Sequence, residues 1–301
     1  MAKHIRRHSW CIVTSLLIIA TITMESRSHI MRINLLNDAN NSKTVLDSDA
    51  DYNNWIFRDP VPIDLQKEPK PQRSRRSVHK EKVPPYYVNS RSPYSSIVSL
   101  DIGCVGTLIS PMHVLTAAHC VHDGKKLRTG HLMRPLKIGL LRRNGKQHKI
   151  RVKKIYVPEE IRPNTASRFT YDYAVLKLVR RHKRPYLPVK ASKGFIRSLK
   201  FHVFERDRGR KSRSLYRFTH CPVNNKRSKN YFQILAKYCP SSSGDSGTAV
   251  FDNSEEQRNS VIGILSATAS YRDRNGQYTA TVILRLTKSD VAKINKWISN
   301  S

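Results

Sequence analysis

Acidic residues are scarce in this sequence. The chain of 301 residues carries 22 Asp and Glu against 55 Lys and Arg, which gives a formal net charge of +33. Such an excess of positive charge is expected to attract an anionic surface, a polyanion or an acidic partner, although it does not indicate a fold. Because 39% of the residues are hydrophobic, the chain can bury a core, and the composition excludes an intrinsically disordered protein.

Several common signals are missing as well. The sequence has no CxxC spacing, no nucleotide-binding motif and no base-stacking module. Neither a metal nor another cofactor is therefore expected, and nucleic-acid binding is only a weak third alternative. No internal repeat and no alternation of strand and helix patterns is present, which argues against a parallel α/β sheet.

The longest apolar run is short for a membrane span, which needs about 20 residues. Residues 1–28 begin with Lys3, Arg6 and Arg7 and continue with an apolar run from Trp10 to Ile22. This order is typical of a secretory signal peptide, and the alternative is a signal anchor that stays attached. We expect cleavage, export to the extracellular space and no stable membrane anchor.

Residues 29–76 are predicted to form a pro-segment, because they are rich in Asn, Asp, Ser and Pro and show little periodicity. The segment ends in Arg73-Ser74-Arg75-Arg76, which fits a furin-like secretory convertase, and a basic surface loop is the alternative. A second basic run, Arg181-His182-Lys183-Arg184, is followed by Pro185, which should block cleavage there. Residues 77–301 then form the mature domain and carry most of the positive charge.

Short β-branched or alternating stretches recur in this domain, separated by turn signals, and predict an all-β barrel or sandwich. Near the C-terminus, apolar residues spaced three and four apart behind Ser289 predict one amphipathic helix that Ser289 caps. The predicted strands are residues 96–100, 105–109, 149–155, 173–178, 232–235, 248–251, 261–266 and 279–284.

Five cysteines are present, and Cys11 lies in the apolar run that we expect to be removed. The other four are Cys104, Cys120, Cys221 and Cys239. In an oxidising compartment, an even set of four favours two disulfides over a metal site.

One histidine has a setting that suits a catalytic base. Thr116-Ala117-Ala118-His119-Cys120 places His119 after a predicted strand and two small residues. If Cys104 and Cys120 bond, the loop that presents His119 is held at both ends, which limits the freedom of the imidazole and suits proton transfer. His113 and His122 lack this setting and are predicted to lie at the surface.

The other two candidate catalytic residues are an aspartate and a serine. Asp172 stands at the head of an apolar strand, where a buried carboxylate needs a partner; a simple strand cap is the alternative. Ser246 stands between Gly244-Asp245 and Gly247, which predicts a nucleophile on a tight turn. The backbone N–H groups of Gly244 and Ser246 would hold an oxyanion, whereas a plain loop is the alternative.

These three segments, in the order His119, Asp172 and Ser246, resemble the signature blocks of the chymotrypsin/trypsin family of serine proteases. The resemblance covers residues 77–301 and implies two six-stranded antiparallel β-barrels, with the active site between them and a C-terminal helix. It further implies a serine endopeptidase that hydrolyses protein or peptide substrates through an acyl-enzyme, without a cofactor. Ser246 would be the nucleophile, His119 the general base, and Asp172 the group that orients the imidazole.

The sparse disulfides are similar to those of an atypical secreted branch of the family. Within this resemblance, Cys221 and Cys239 are expected to form a second disulfide just before the nucleophile turn.

The segment Ser266-Ala267-Thr268 resembles the family's strand that pairs with the substrate backbone. The pocket residues differ from the best-known branches. Pro240, followed by Ser241, stands where trypsins keep an acidic residue, and Leu265 stands where glutamyl endopeptidases have a histidine. Cleavage after Arg or Lys is therefore not supported, and the side-chain specificity stays open.

Activation in this family places a new N-terminal amine on the aspartate before the nucleophile, here Asp245. The usual start of the mature chain is absent, but cleavage after Arg76 would put Ser77 at the family's distance from Cys104. We expect the Ser77 ammonium to pair with buried Asp245, because an unpaired buried carboxylate is strongly disfavoured. The alternative is that Asp245 has another partner.

A function from another class is also compatible with the sequence. The high positive charge fits a cationic protein that binds acidic glycans or microbial surfaces and uses a protease fold as its scaffold, since one fold can host many functions.

Overall fold

The computed structural model describes residues 56–58, 79–127, 135–161, 170–192, 195–206, 213–223, 233–237, 239, 241–252, 259–273 and 276–301. The predicted signal peptide, residues 1–28, and the predicted convertase site at 73–76 lie outside these residues. From the predicted pro-segment, 29–76, the description includes residues 56–58.

Strands dominate the described residues, and all eight predicted stretches coincide with strands. The C-terminal helix is present too. Strands β1, β2, β5, β6, β9 and β10 below are not among these eight stretches. In chain order the elements are β1 (Ile56–Arg58), β2 (His79–Lys82), a 3-10 turn (Tyr94–Ser96), β3 (Ile97–Leu100), β4 (Val105–Ser110), β5 (His113–Thr116), α1 (Ala118–Val121), β6 (Lys137–Leu141), β7 (Gln147–Tyr156), β8 (Ala174–Leu178), β9 (Ser198–Arg206), β10 (Arg213–Pro222), β11 (Gln233–Lys237), β12 (Ala249–Asp252), β13 (Val261–Asp273), β14 (Gly276–Arg285) and α2 (Lys288–Ser299).

The first barrel is a closed antiparallel sheet with the strand order β3-β4-β5-β8-β7-β6. Its interior is filled by aliphatic side chains such as Leu108, Ile138 and Leu176, each fully buried. Thr116 at the end of β5 pairs with Ala174 at the start of β8. The chain therefore leaves β5 and enters β8 at the same rim of the barrel, which brings the segments after Thr116 and before Ala174 together.

The second sheet contains eight strands, seven of them in the order β11-β14-β13-β12-β9-β10-β2, while β1 pairs with β13. Six of these strands, β9 to β14, form a ring, because Val223 after β10 pairs with Ala236 of β11 in a single bridge. The fold thus confirms the predicted pair of six-stranded barrels. The additional strands join this barrel by pairing with two of its members, β1 with β13 and β2 with β10.

Helix α2 begins at a capping box. The Asp290 backbone N–H donates to Thr287 Oγ1 at 3.2 Å, and the Thr287 N–H donates to Asp290 Oδ2 at 2.8 Å. The prediction that Ser289 caps this helix is wrong, because Thr287 stands three residues before an acidic side chain that can return the bond, and Ser289 does not. Neither helix in the described part of the chain has the length and apolarity needed to span a membrane.

The buried face of α2 packs on the first barrel. Ile294 is fully buried. The Trp297 ring lies 6.0 Å from that of Tyr156 and 5.8 Å from that of Tyr173, measured between centroids. Since Tyr173 directly follows Asp172, this helix supports the entry into β8.

Both predicted disulfides are present. Cys104 bonds to Cys120, which joins the chain just before β4 to α1. Cys221 bonds to Cys239, which joins the end of β10 to the segment that leads into the nucleophile turn.

Candidate active site

His119 is held in α1 by a short, rigid approach. Ala117 and Ala118 are fully buried, and Thr116 Oγ1 donates to the Val105 carbonyl at 2.7 Å. The small side chains let the chain turn sharply at the rim of the barrel, and the disulfide of Cys120 fixes the other side. His119 itself is 8% exposed, so its imidazole sits in the wall of the site with an edge open to it.

Asp172 contacts His119 through both carboxylate oxygens. The His119 backbone N–H donates to Oδ1 at 2.8 Å, and Nδ1 lies 2.7 Å from Oδ2. Ser266 Oγ also donates to Oδ2. Asp172 is 1% exposed, and burial acts to raise its pKa, but the contact with His119 and the donated hydrogen bonds hold the pKa below its ordinary value. The carboxylate is therefore anionic and fixes Nδ1 as the protonated nitrogen, which leaves Nε2 to act as a base.

Ser246 lies in a buried turn against β4 and β5. Its carbonyl accepts from the Val105 N–H at 2.9 Å, and the Gly247 N–H donates to the Leu265 carbonyl at 2.9 Å. Gly247 has a φ of +86°, and a Cβ there would lie 2.2 Å from both Thr116 Oγ1 and the Val105 carbonyl oxygen. Only glycine fits this close approach. The turn thus rests on the residues that lead to His119.

The structure brings the three predicted triad residues to one place but joins only two of them directly. Within the described residues, Ser246 Oγ makes no hydrogen bond to His119 Nε2, and Cys120 Sγ lies 3.9 Å from Nε2. Contacts of this kind are often long before substrate binds and shorten in the reacting complex.

The predicted oxyanion donors, the backbone N–H groups of Gly244 and Ser246, lie in the turn that carries the candidate nucleophile. Gly244 has a φ of +97°, and a Cβ there would lie 2.8 Å from the Gly103 carbonyl oxygen. The backbone N–H groups of Gly244 and Ser246 donate to no acceptor within the described residues. Two such donors at a turn can bind a negatively charged oxygen.

Asp245 is buried beside this turn. Its Oδ2 accepts from the Ser242 backbone N–H at 2.7 Å, and its exposed fraction is 4%. The predicted activation residues Arg76 and Ser77 lie outside the described residues, so the expected pairing between Ser77 and Asp245 stays a prediction.

Three hydroxyl groups line the region before the nucleophile. Ser241 Oγ lies 2.8 Å from Thr268 Oγ1 and 3.1 Å from Thr281 Oγ1, and Thr281 Oγ1 donates to the Cys239 carbonyl at 2.6 Å. Thr268 and Thr281 face each other across β13 and β14. Of the predicted pocket residues, Pro240 lies outside the described residues.

The predicted substrate strand has two features that the sequence did not indicate. The Ser266 side chain turns inward to Asp172 and away from a substrate. At Thr268, the strand pairs with Arg58 of β1, and Ala269 pairs with Phe57. A segment of the predicted pro-segment therefore pairs with β13 at Thr268, the last residue that the sequence assigns to a substrate, and at the two residues that follow.

One histidine prediction is wrong. His113, expected at the surface, is 4% exposed, because the C-terminal residue covers it: Ser301 Oγ lies 2.7 Å from Nε2, and Ser110 Oγ lies 2.6 Å from Nδ1. His122 is half-buried, with Nδ1 accepting from the Gly124 N–H. Neither histidine contacts Asp172 in the described structure.

No cluster of three or more His, Cys, Asp or Glu side chains with ligand geometry occurs among the described residues.

Known proteins are similar to this chain in sequence. The curated relatives include serine protease 23 from Bos taurus and from Homo sapiens, each 32% identical over 69% of this chain and 60% of the relative. Inactive serine protease 35 from Mus musculus is 29% identical over 68% of this chain and 63% of the relative. The chain thus spans about three fifths of the length of the curated relatives it matches.

Solved structures give the same fold. A Glu endopeptidase in complex with MPD superposes with a TM-score of 0.55 at 22% identity, covering 72% of this chain and 95% of that one. A mutant of human heparin binding protein (CAP37) has a TM-score of 0.50 at 16% identity, covering 74% and 96%. The family model described as Trypsin matches residues 84–298. With its two barrels and the pairing of His119 with Asp172, the chain belongs to the trypsin family.

Proposed function

We propose that this protein is a secreted serine endopeptidase that is made with a leader and processed after Arg76. The observation that carries the proposal is the pair of hydrogen bonds between His119 and Asp172, 2.8 and 2.7 Å long, beside the Ser246 turn. A surface histidine has no need of a buried carboxylate that accepts from both its backbone and its ring. This geometry keeps an imidazole in one tautomer, which is what a general base requires.

The proposed reaction has two steps, formation of an acyl-enzyme on Ser246 and hydrolysis of that acyl-enzyme. Ser246 Oγ attacks the substrate carbonyl carbon while His119 Nε2 takes the hydroxyl proton, and the carbonyl oxygen becomes an anion held by the N–H groups of Gly244 and Ser246. The imidazolium then gives its proton to the leaving amine, which leaves an ester on Ser246. Water, deprotonated by His119, hydrolyses that ester. Asp172 stays anionic and stabilises the imidazolium.

The substrate pocket in this proposal accepts uncharged side chains. Ser241, Thr268 and Thr281 supply hydroxyl groups, and the described residues around them include no acidic side chain that contacts them. A basic substrate residue would lack a counter-charge there. This arrangement supports the sequence-based view that cleavage after Arg or Lys is not favoured.

The fold alone does not carry the proposal. One group of relatives is named inactive, and one structural neighbour is named a heparin binding protein. A binding protein on this scaffold is therefore the competing function, and the two differ in whether Ser246 reacts.

A fluorophosphonate probe tests this directly on the processed chain, with the labelled peptide identified by mass spectrometry. We expect one adduct, on Ser246, and its loss in Ser246→Ala. Ser243→Ala is the matched control, because that serine is exposed on the same turn and should leave labelling unchanged. A folded, processed chain that takes no label, or takes it elsewhere, would contradict the proposal.

A further inference from the structure

A second concave site lies away from the candidate active site. A pocket of about 500 Å³ is lined by the cationic side chains Arg142, Arg143, Lys183 and Arg184 together with His148 and His182. We call this set the basic pocket. Its volume lies within the range of pockets that bind small ligands or parts of larger ones. No acidic side chain lines it among the described residues.

The basic pocket lies at the opposite end of β8 from the catalytic pair. Asp172 precedes this strand, whereas Arg180 and the lining residues Lys183 and Arg184 follow it. A five-residue strand spans roughly 17 Å at about 3.3 Å per residue. A ligand in the pocket would therefore not block substrate from reaching His119.

Two guanidinium groups converge on one imidazole in this region. Arg142 Nη2 lies 3.2 Å from His148 Nδ1, and Arg180 Nη2 lies 3.0 Å from His148 Nε2. A neutral imidazole accepts at only one ring nitrogen, and a protonated one accepts at neither. One of the two guanidinium groups thus points a donor at an N–H group, and no carboxylate within the described residues pairs with either arginine. Positive groups so arranged favour an anion bound between them.

The cations are also held in place before any ligand arrives. Arg184 donates to the Val88 carbonyl at 3.2 Å and to the Leu141 carbonyl at 2.7 Å. Arg143 Nε donates to Asn89 Oδ1 at 3.2 Å. Burial and the charge of Arg142 lower the pKa of Arg184, which reflects the lack of a nearby counter-charge. Fixed guanidinium groups match the oxygens of sulfate and phosphate groups well, because little side-chain freedom is lost on binding.

We propose that the basic pocket binds the sulfate groups of an acidic polysaccharide. The amide groups of Asn89 and Asn144 line the same pocket and suit sugar hydroxyls, since the oxygen of each already accepts from the protein and the NH₂ remains to donate. A nucleic acid fits less well. Its single-stranded form is bound best on large aromatic platforms, and no Phe, Tyr or Trp side chain lines the pocket in the described structure.

The test measures binding of a sulfated heparin hexasaccharide to the full chain by calorimetry, at several salt concentrations. Arg142→Gln/Arg180→Gln removes the two cations that face His148 without touching the backbone bonds of Arg184. We expect the affinity to fall at least tenfold and the slope of log K against log salt to fall by about two. Lys288→Gln/Lys296→Gln removes the same charge from exposed positions of α2 and should change the affinity less than threefold.

Equal losses in both double variants would overturn the proposal, because they would indicate diffuse attraction by net charge. Absence of binding to the unmodified chain would overturn it as well. A single-stranded oligonucleotide of equal charge should bind more weakly than the hexasaccharide and respond equally to the two double variants. If the oligonucleotide binds more tightly than the hexasaccharide and loses affinity mainly in Arg142→Gln/Arg180→Gln, the pocket is a nucleic-acid site and the polysaccharide proposal is wrong.

A measurement on the unmodified chain guards against a variant that does not fold. Phenylglyoxal modifies accessible arginines, and mass spectrometry locates the products. The hexasaccharide should protect Arg142 and Arg180 at least fivefold more than exposed arginines elsewhere, and uniform protection would contradict the proposal. Ser246→Ala should bind the hexasaccharide normally, so the outcome is independent of whether the protein is a protease.

Discussion

Asp172 shows how one buried charge organises this molecule at the scale of single residues. A carboxylate that is 1% exposed would be very unfavourable alone, yet it accepts hydrogen bonds from the backbone and ring of His119 and from Ser266. The first two donors come from the first barrel and the third from the second barrel. The ionised state of this side chain therefore depends on both barrels.

Removal of the Ser266 hydroxyl should weaken catalysis more than stability. In Ser266→Ala, Asp172 loses one donor and holds the imidazole less firmly, and a hydrogen bond to a charged group contributes about 1.5 to 3 kcal/mol. We expect kcat/KM on a peptide substrate to fall about ten- to hundredfold, with KM little changed. Ser99→Ala is the control, since its buried hydroxyl makes only a 3.4 Å bond to a carbonyl in the first barrel. A normal kcat in Ser266→Ala would show that Ser266 does not position Asp172.

His202 should make the protein sensitive to acid. It is 1% exposed between the rings of Tyr94 and Phe251, and neither ring nitrogen has a hydrogen-bond partner within the described structure. Burial, and less strongly the charges of Arg217 and Lys200, lower its pKa to about 3. In the unfolded chain this imidazole takes up a proton near pH 6.5, whereas in the folded chain it stays neutral until the pH is much lower. The free energy of unfolding is therefore highest above about pH 6.5. Below that pH it falls by up to about 1.4 kcal/mol per pH unit.

The variant His202→Leu tests this effect by thermal denaturation between pH 7.5 and 4.5. It should be at least as stable as the parent at pH 7.5, because two unsatisfied buried atoms are removed, and its advantage should grow as the pH falls. His122→Gln, at a half-buried position, should retain the parent's pH dependence. Parallel curves for His202→Leu and the parent would argue against a role for this histidine.

The residues that the sequence could locate are those with a local signature. His119, Asp172 and Ser246 each stand in a short motif whose neighbours prepare them for their role. Ser266 is 94 residues from the aspartate it contacts, and Thr281 is 40 residues from Ser241. Nothing in the neighbouring sequence marks these contacts, because strand pairing across the two barrels creates them.

At the scale of elements, α2 packs against the segment that carries Asp172. Its capping box fixes where the helix begins, Ile294 enters the core, and Trp297 packs on Tyr173, the residue after Asp172. The periodic apolar positions predicted this helix correctly. Its first residue was misplaced because Ser289 and Thr287 are both good caps, and only the return bond from Asp290 decides between them.

Truncation of Ile294 should destabilise the whole fold. Ile294→Ala leaves a cavity between α2 and the first barrel, and such changes cost about 2 to 5 kcal/mol. Asn295→Ala, at the exposed neighbouring position, should change the free energy of unfolding by less than about 0.5 kcal/mol. Urea denaturation followed by tryptophan fluorescence measures both. Comparable stability of the two variants would mean that the helix does not contribute to the core.

At the scale of the whole molecule, β1 links the predicted pro-segment to the candidate active site. Its three residues pair with β13 from Thr268 to Ser270, next to and partly within the predicted substrate segment 266–268. The backbone of the leader and that of a substrate would then compete for the same hydrogen bonds. The general motifs of a pro-segment indicated cleavage, but nothing in its composition indicated where the leader would dock.

The unprocessed chain should therefore react slowly with an active-site probe. In an Arg76→Ala background, where the leader stays attached, Phe57→Pro should raise the rate of fluorophosphonate labelling at Ser246 severalfold, because proline cannot donate to Ala269 or its neighbours in the ladder. The same change in a chain that is processed after residue 76 should have no effect, since residue 57 is then removed. An unchanged labelling rate in the uncleaved double variant would exclude β1 as an obstacle.

The interface between the two barrels has one more consequence. His119 and Asp172 stand on one side of it, and Ser246 and Ser266 stand on the other. A shift of one barrel against the other by a fraction of an ångström would misalign Ser246 and His119 under conditions in which both barrels are still folded. If the proposed activity is present, its rate should therefore depend on how well the two barrels are aligned: gentle warming should lower that rate reversibly while the circular dichroism spectrum still looks native.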